Sequence, residues 1–231
     1  MVKLLSIQVG KPRTFGTPDA SDPHDRQWTT GFCKETVSGP VTITKINLAG
    51  DGQADLKHHG GLDKAVCVYP REHWAFWKAE IAIDLPHGGF GENFTTSGAV
   101  ETDVCIGDVF RCGTALLQIS QPRQPCWKLA RRWGTKDLPA RVERTGRSGW
   151  YLRVLEEGTV EAGNEIPLVE RSHPEWTVAA ANSVMHHRKT DWEAAQRLAS
   201  CPALSGSWRS TLAQRAETRL IPSTAPRLEN P

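Results

Sequence analysis

The hydrophobic period of this chain changes once, near residue 170, and that change limits what it can fold into. Upstream, short runs rich in β-branched and aromatic residues alternate with glycine turns such as Gly107-Asp108, Cys112-Gly113 and Gly163-Asn164. Strands are expected at 4–9, 41–46, 65–69, 109–111, 115–120, 151–155 and 165–169. Two helical pieces interrupt them: 70–79, opened by Pro70, and 127–133, directly after Cys126. Many short strands with close turns predict a mainly β fold with some α, built as a barrel or sandwich. Downstream the period becomes helical. Residues 176–187 are Ala-rich, Thr190 and Glu193 have the spacing of a capping box opening a helix through Ala199, and 207–220 make a third helix. The expected organisation is a β domain over 1–170, a three-helix domain over 171–221 and a flexible tail over 222–231 with three prolines. About fifty residues make a marginal core. The appendage therefore packs on the β domain or on a second copy of the chain, as in a homodimer.

The 231 residues are 39% hydrophobic and 23% charged, the balance of a folded protein rather than a disordered one. No stretch approaches the ~18 apolar residues of a membrane span, and the first residues lack the apolar core of a secretory signal. A cytoplasmic protein with no membrane partner is expected. Its six cysteines, with no CxxC pair among them, default to buried thiols. The spacing required for a zinc site is also missing.

Charge is concentrated. Between 123 and 153 stand nine basic residues against two acidic ones, in a chain of net +2. Such a window asks for an anionic partner or makes a solvated helix face. The overall charge and an isoelectric point near 8.2 argue against nucleic acid as that partner.

Three segments carry candidate chemistry. In 50–64 (GDGQADLKHHGGLDK) four glycines allow backbone to approach a ligand, and Lys57 and Lys64 can neutralise phosphate or oxyanions. His58 and His59 are adjacent, so at most one faces a site. In 88–96 (GGFGENFTT) glycines adjoin Glu92, Asn93, Thr95 and Thr96, and an amide there suits a heterocycle edge. The strongest is 121–129 (QPRQPCWKL). Two prolines fix the backbone around Arg123 and Gln124, and Cys126 falls at a helix start beside Arg123 and Lys128. That setting favours a thiolate able to attack an electrophile or bind a soft metal. Arg147, between glycines in GRSGWY, is either an anion clamp or part of a surface turn.

Together GQADLKHHGGLDKAV, YPREHW, GGFGENFT, IGDVFRCG, QPRQPCWKL and GRSGWYLRVLEEG resemble the bacterial MOSC-domain proteins of the YiiM type, in order across about residues 45–170. MOSC denotes the molybdenum cofactor sulfurase C-terminal domain. The helical appendage is similar to that group's three-helix C-terminal domain. The resemblance implies a MOSC β-barrel that binds the molybdenum cofactor, a pterin dithiolene carrying molybdenum (Mo-molybdopterin). Cys126 matches the family cysteine and would be the protein ligand to the metal. Arg123, Lys128 and Arg147 would hold anionic groups. Lys57, Gly60, Gly61, Asn93 and Thr95 would line the cofactor or substrate space, with His59 a proton donor.

The activity implied is reduction of N-hydroxylated compounds, such as N-hydroxylaminopurine base analogues, to amines. The chain shows no flavin or iron–sulfur signature, so a separate reductase would supply electrons. The sequence departs from the family at Gly163-Asn164, where Gly-Asp is frequent, and no desulfurase domain accompanies it. An alternative is a carrier of molybdenum cofactor or sulfur that uses a Cys126 persulfide.

Overall fold

The computed structural model describes residues 1–56 and 59–229. Its strands are β1 (Val2–Val9), β2 (Arg13–Phe15), β3 (Trp28–Thr30), β4 (Glu35–Val37), β5 (Val41–Ile43), β6 (Val66–Pro70), β7 (Phe94–Ser97), β8 (Val109–Cys112), β9 (Ala115–Pro122), β10 (Trp150–Glu156), β11 (Gly158–Val160), β12 (Glu165–Ile166) and β13 (Leu168–Glu170). The principal sheet runs β12-β1-β7-β6-β10-β9-β8-β13, with β4 also on β1; β2–β3 and β5–β11 pair separately. Its neighbours are antiparallel except β6 and β7. In β10 alternate residues Trp150, Leu152 and Val154 point inward, as a strand with one covered face requires. Central β6 is buried along its whole length.

The expected barrel differs in one respect. The hydrogen-bonded path does not close into a continuous ring: its two ends, β12 and β13, are consecutive in the chain and meet at Pro167. The single run expected at 165–169 breaks there because proline has no N–H to give a ladder. Ile166 pairs with Val2 on one side, while Leu168 pairs with Phe110 on the other.

Helices α1 (Trp74–Ile81), α2 (Lys128–Trp133) and α3 (Leu138–Thr145) cover one flank. Their apolar faces meet Tyr69 and Phe90 in a small core with Trp77, Leu129, Leu138 and Val142. The downstream helices are α4 (Val178–Asn182), α5 (Trp192–Ala199), α6 (Gly206–Thr218) and α7 (Ala225–Leu228). Of the long helix expected over 176–187, only α4 is regular; a wider π turn follows at Ser183–His187. The expected capping box also shifts by one residue. Asp191, not Thr190, caps α5, its carboxylate accepting from Ala194 N–H at 2.9 Å.

Val184, Leu198, Leu204, Trp208 and Leu212 belong to the same core as the sheet residues Ile43, Leu117 and Ile119. The helices are thus packed on the β domain of their own chain. Within the tail, α7 is hydrogen-bonded back to the body of the protein. Among the described residues no helix is long and apolar enough to cross a membrane.

Candidate functional site

Strand register builds the floor of the site. Tyr151 of β10 stands opposite Cys67 of β6 and opposite Gln121 of β9, giving a row of three side chains across the sheet. β9 ends at Pro122, and the chain leaves it under constraint: Arg123 N–H donates to the carbonyl of Gly149 at 3.0 Å. Gly149 has φ +72°, and a Cβ there would lie 2.1 Å from the Val68 carbonyl oxygen, so only glycine lets β10 start this close to β6. Two prolines then bring Cys126 to the approach of α2, where its carbonyl accepts from Leu129 N–H at 3.0 Å.

Cys126 lies between two connected chambers. The inner one has a cavity volume of about 60 Å³ and is walled by Phe32, Lys34, Cys67, Gly91, Asn93 and Arg123 among others. The outer one, about 470 Å³, is walled by Gln121, Trp127 and Asp55, by Met185, Ser207, Trp208 and Thr211 of the helical domain, and by Pro226 and Arg227. His59, Lys64, Gln124, Cys126, Lys128 and Tyr151 border both. The outer chamber is in the size range of small-molecule sites.

The charge balance is one-sided. Arg123 and Lys128 are only 4% and 7% exposed, and among the described residues no carboxylate lies within ion-pair distance of either. Arg123 Nη2 donates to Phe90 O at 2.8 Å, but its Nη1 is buried without a partner. The guanidinium sits 5.9 Å from the ring centres of both Phe32 and Phe90. Buried, uncompensated cations of this kind call for an anion.

Cys126 Sγ is 3.9 Å from His59 Nε2, and Lys128 Nζ is 3.5 Å from Nδ1 of the same ring. Burial, then Lys128, lower the His59 pKa to about 3, so the ring is neutral near pH 7. Burial likewise lowers Lys64, raises the Cys67 thiol to about 11 and pushes Tyr151 far up. Cys67 and Tyr151 are therefore protonated at neutral pH.

Two flanking loops are fixed by buried carboxylates. Asp51 accepts from Gly10 N–H at 2.9 Å and Asn93 Nδ2 at 2.9 Å and pairs with Lys34, tying the first glycine segment to the second. Glu92 accepts from Gly88 N–H at 2.8 Å, Phe90 N–H at 2.9 Å and Thr95 Oγ1 at 3.0 Å. This wraps the 88–92 turn and aims the Phe90 carbonyl at Arg123.

Of the residues singled out in the sequence, the cavity gathers Cys126, His59, Gly60, Asn93, Arg123 and Lys128. Asn93 is nonetheless occupied, since its Oδ1 accepts from Cys67 N–H at 3.0 Å and its Nδ2 serves Gln8 O and Asp51. Gly61 (φ +84°) starts the Leu62–Lys64 turn outside the lining. Thr95 is fully buried with its hydroxyl held by Glu92, also outside the lining. Arg147 stacks on Phe76, 3.9 Å from the ring centre, away from both chambers. Lys57 and His58 lie outside the described residues.

Of the basic window, only Arg123 and Lys128 reach the cavity. Arg141 pairs with Asp137 and Glu80, Arg153 with Asp63 and Lys136 with Asp22. In the sequence Cys67 reads as a structural thiol, and nothing singles out Tyr151, Gln121 or Arg227 as site residues. The first three become neighbours only through strand pairing, which no local motif reports.

The sequence matches the MOSC domain over residues 55–167 and the YiiM-like, 3-alpha helix domain over residues 176–219. The uncharacterized protein YflK of Bacillus subtilis (strain 168) is 43% identical over 219 residues, which are 95% of this chain and 96% of that one. The crystal structure of YiiM from Geobacillus stearothermophilus superposes with a TM-score of 0.77 at 39% identity, covering 94% of this chain and all of that one. A protein of Gibberella moniliformis (strain M3125 / FGSC 7600) named as a reductase is 37% identical over 164 residues, 69% of this chain but only 29% of its own length.

Proposed function

The chain belongs to the MOSC-domain proteins, in the group that carries a YiiM-like three-helix domain, and on that footing we propose that it reduces N-hydroxylated compounds to amines with a molybdenum cofactor held at Cys126. The observation that carries this reading is Cys126 itself: a thiol between two chambers, beside buried cations that lack a counter-charge. The unpartnered Arg123 Nη1 fits an anionic group. A metal already ligated by a pterin dithiolene asks for one protein thiol rather than a cage of side chains. The reductase name of one relative points to the same class of chemistry.

When bound, the cofactor supplies a metal that can change by two electrons and take up oxygen. The chain's own residues do the rest. Cys126 ligates, while Arg123 and Lys128 hold anionic groups of the cofactor. The outer chamber admits the substrate past Tyr151 and the helical domain. The overall change, R–NHOH plus two electrons and two protons to R–NH2 plus water, needs a proton source at the cavity. His59, neutral near pH 7, borders both chambers with Lys64 and Tyr151, and these groups can pass protons inward. Electrons come from a separate reductase.

The test is metal and pterin analysis of protein made in cells that synthesise the cofactor, comparing the unaltered chain with Cys126→Ser. Molybdenum near one per chain that disappears in the variant, along with reduction of an N-hydroxylated purine, supports the reading. Equal molybdenum and activity in both would sink it. A persulfide on Cys126 without molybdenum would move the function to sulfur carriage.

A further inference from the structure

The end of the chain grips the candidate ligand loop from both sides. Arg227 of α7 accepts at its carbonyl from Trp127 N–H at 2.9 Å. Its guanidinium donates to the Pro125 carbonyl through one nitrogen and pairs with Glu143 through the other. The two loop contacts fall on the residues immediately before and after Cys126. Glu143, on α3, in turn faces His186 Nδ1 of the helical domain at 3.3 Å. One arginine thus links the Cys126 loop, helix α3 and, through Glu143, the three-helix domain. Pro226 and Arg227 also wall the outer chamber.

From this two-sided grip we propose that Arg227 is a positioning residue for Cys126, and that α7 is the wall that limits the size of molecule the outer chamber accepts. The size limit rests on the proposed function, whereas the grip on Cys126 does not. A bare loop flanked by two prolines could place its thiol in several ways. Fixing the carbonyl of 125 and the amide of 127 leaves Cys126 little freedom except in its own side chain. The guanidinium suits this task because its planar fork serves two oxygens at once, which a lysine ammonium on a flexible stem does poorly.

The test uses the full chain, without cofactor, and reads the rate at which iodoacetamide alkylates Cys126. Peptide mass spectrometry follows the reaction, with half-buried Cys33 as the internal reference. Arg227→Ala is expected to raise the Cys126 rate relative to Cys33 by about tenfold, the scale of one lost charge-assisted hydrogen bond, at a melting temperature little changed. Arg227→Lys should recover part of the protection. A Cys126 rate in Arg227→Ala within about twofold of the unaltered chain would overturn the positioning role. Should that variant not fold, Glu143→Gln loosens the guanidinium's anchor while keeping Arg227, and an unchanged rate there overturns it equally.

In molybdenum-loaded protein, Arg227→Ala should shift kcat/KM toward bulkier N-hydroxylated compounds relative to small ones. An unshifted ratio would remove the size limit. Absence of molybdenum from the unaltered chain would sink the proposed function and leave the alkylation result standing.

Discussion

His59 presents its two ring nitrogens to different partners: Nε2 lies 3.9 Å from Cys126 Sγ, while Nδ1 faces Lys128 Nζ at 3.5 Å. A lysine ammonium can only donate, so a hydrogen bond from Lys128 makes Nδ1 the acceptor and puts the ring proton on Nε2, toward the sulfur. Asp55 Oδ2, at 3.6 Å from the same nitrogen, can only accept and favours the opposite tautomer.

The first prediction follows from that environment. Burial and Lys128 set the His59 pKa at about 3, so its ring resonances should show no titration midpoint between pH 5 and 9. Proton NMR of the imidazoles, assigned by His59→Gln, checks this. A His59 midpoint near 6 would contradict it.

Acid stability gives a second. His186, with a side chain only 4% exposed, also has its pKa lowered to about 3 by burial, against the opposing pull of Glu143. Both histidines titrate near 6.5 when unfolded, so below that pH the unfolded chain binds more protons. Their contribution is complete above about pH 6.5 and is lost as pH falls toward 3. Denaturant unfolding should show stability falling by about 1.4 kcal/mol per pH unit from each of the two histidines near pH 5. His186→Gln should flatten that slope, and an unchanged slope would count against the buried neutral ring.

A third concerns Arg123. Arg123→Met removes the buried cation from the inner chamber and strips the Phe90 carbonyl of its donor, a cost of about 1–3 kcal/mol. Molybdenum retention after gel filtration should drop severely, while Arg132→Ala, outside both chambers, should leave it unchanged. Retention of a full complement by Arg123→Met would separate the cation from the cofactor.

Gly149→Ala supplies a fourth. The added methyl would meet Val68 O, and the positive φ compounds the strain, so destabilisation of about 2 kcal/mol or more is expected. Because the Gly149 carbonyl holds Arg123 N–H, the same variant should also weaken cofactor retention. A neutral melting temperature would show that the β6–β10 start can open without cost.

Much of the site was legible because it lies in a few local signals. The paired prolines around Arg123 and Gln124 mark an imposed backbone path, and Cys126 with Lys128 follows it into α2. The glycines before Leu62 mark a loop that can bring His59 in. What stayed hidden depends on distant pairing. Cys67 looked like one more strand thiol, and only the register Tyr151↔Cys67 turns it toward the cavity. Thr95 and Arg147 sit in segments with the right composition, yet Glu92 and Phe76 draw them elsewhere. The fold is legible to a similar extent: the strands and the helical end show in the sequence, but the break at Pro167 depends on residues 165–170 facing two different neighbours.

That break bears on how the molecule is made. Val2 and Lys3 pair with Ile166 and Glu165, while two residues later Leu168 pairs with Phe110. During synthesis β1 can join β4 and β7 early, but its outer edge stays open until the ribosome has delivered the stretch around Pro167. Contacts this far apart in sequence slow folding. β1 is thus among the last strands to receive all its partners.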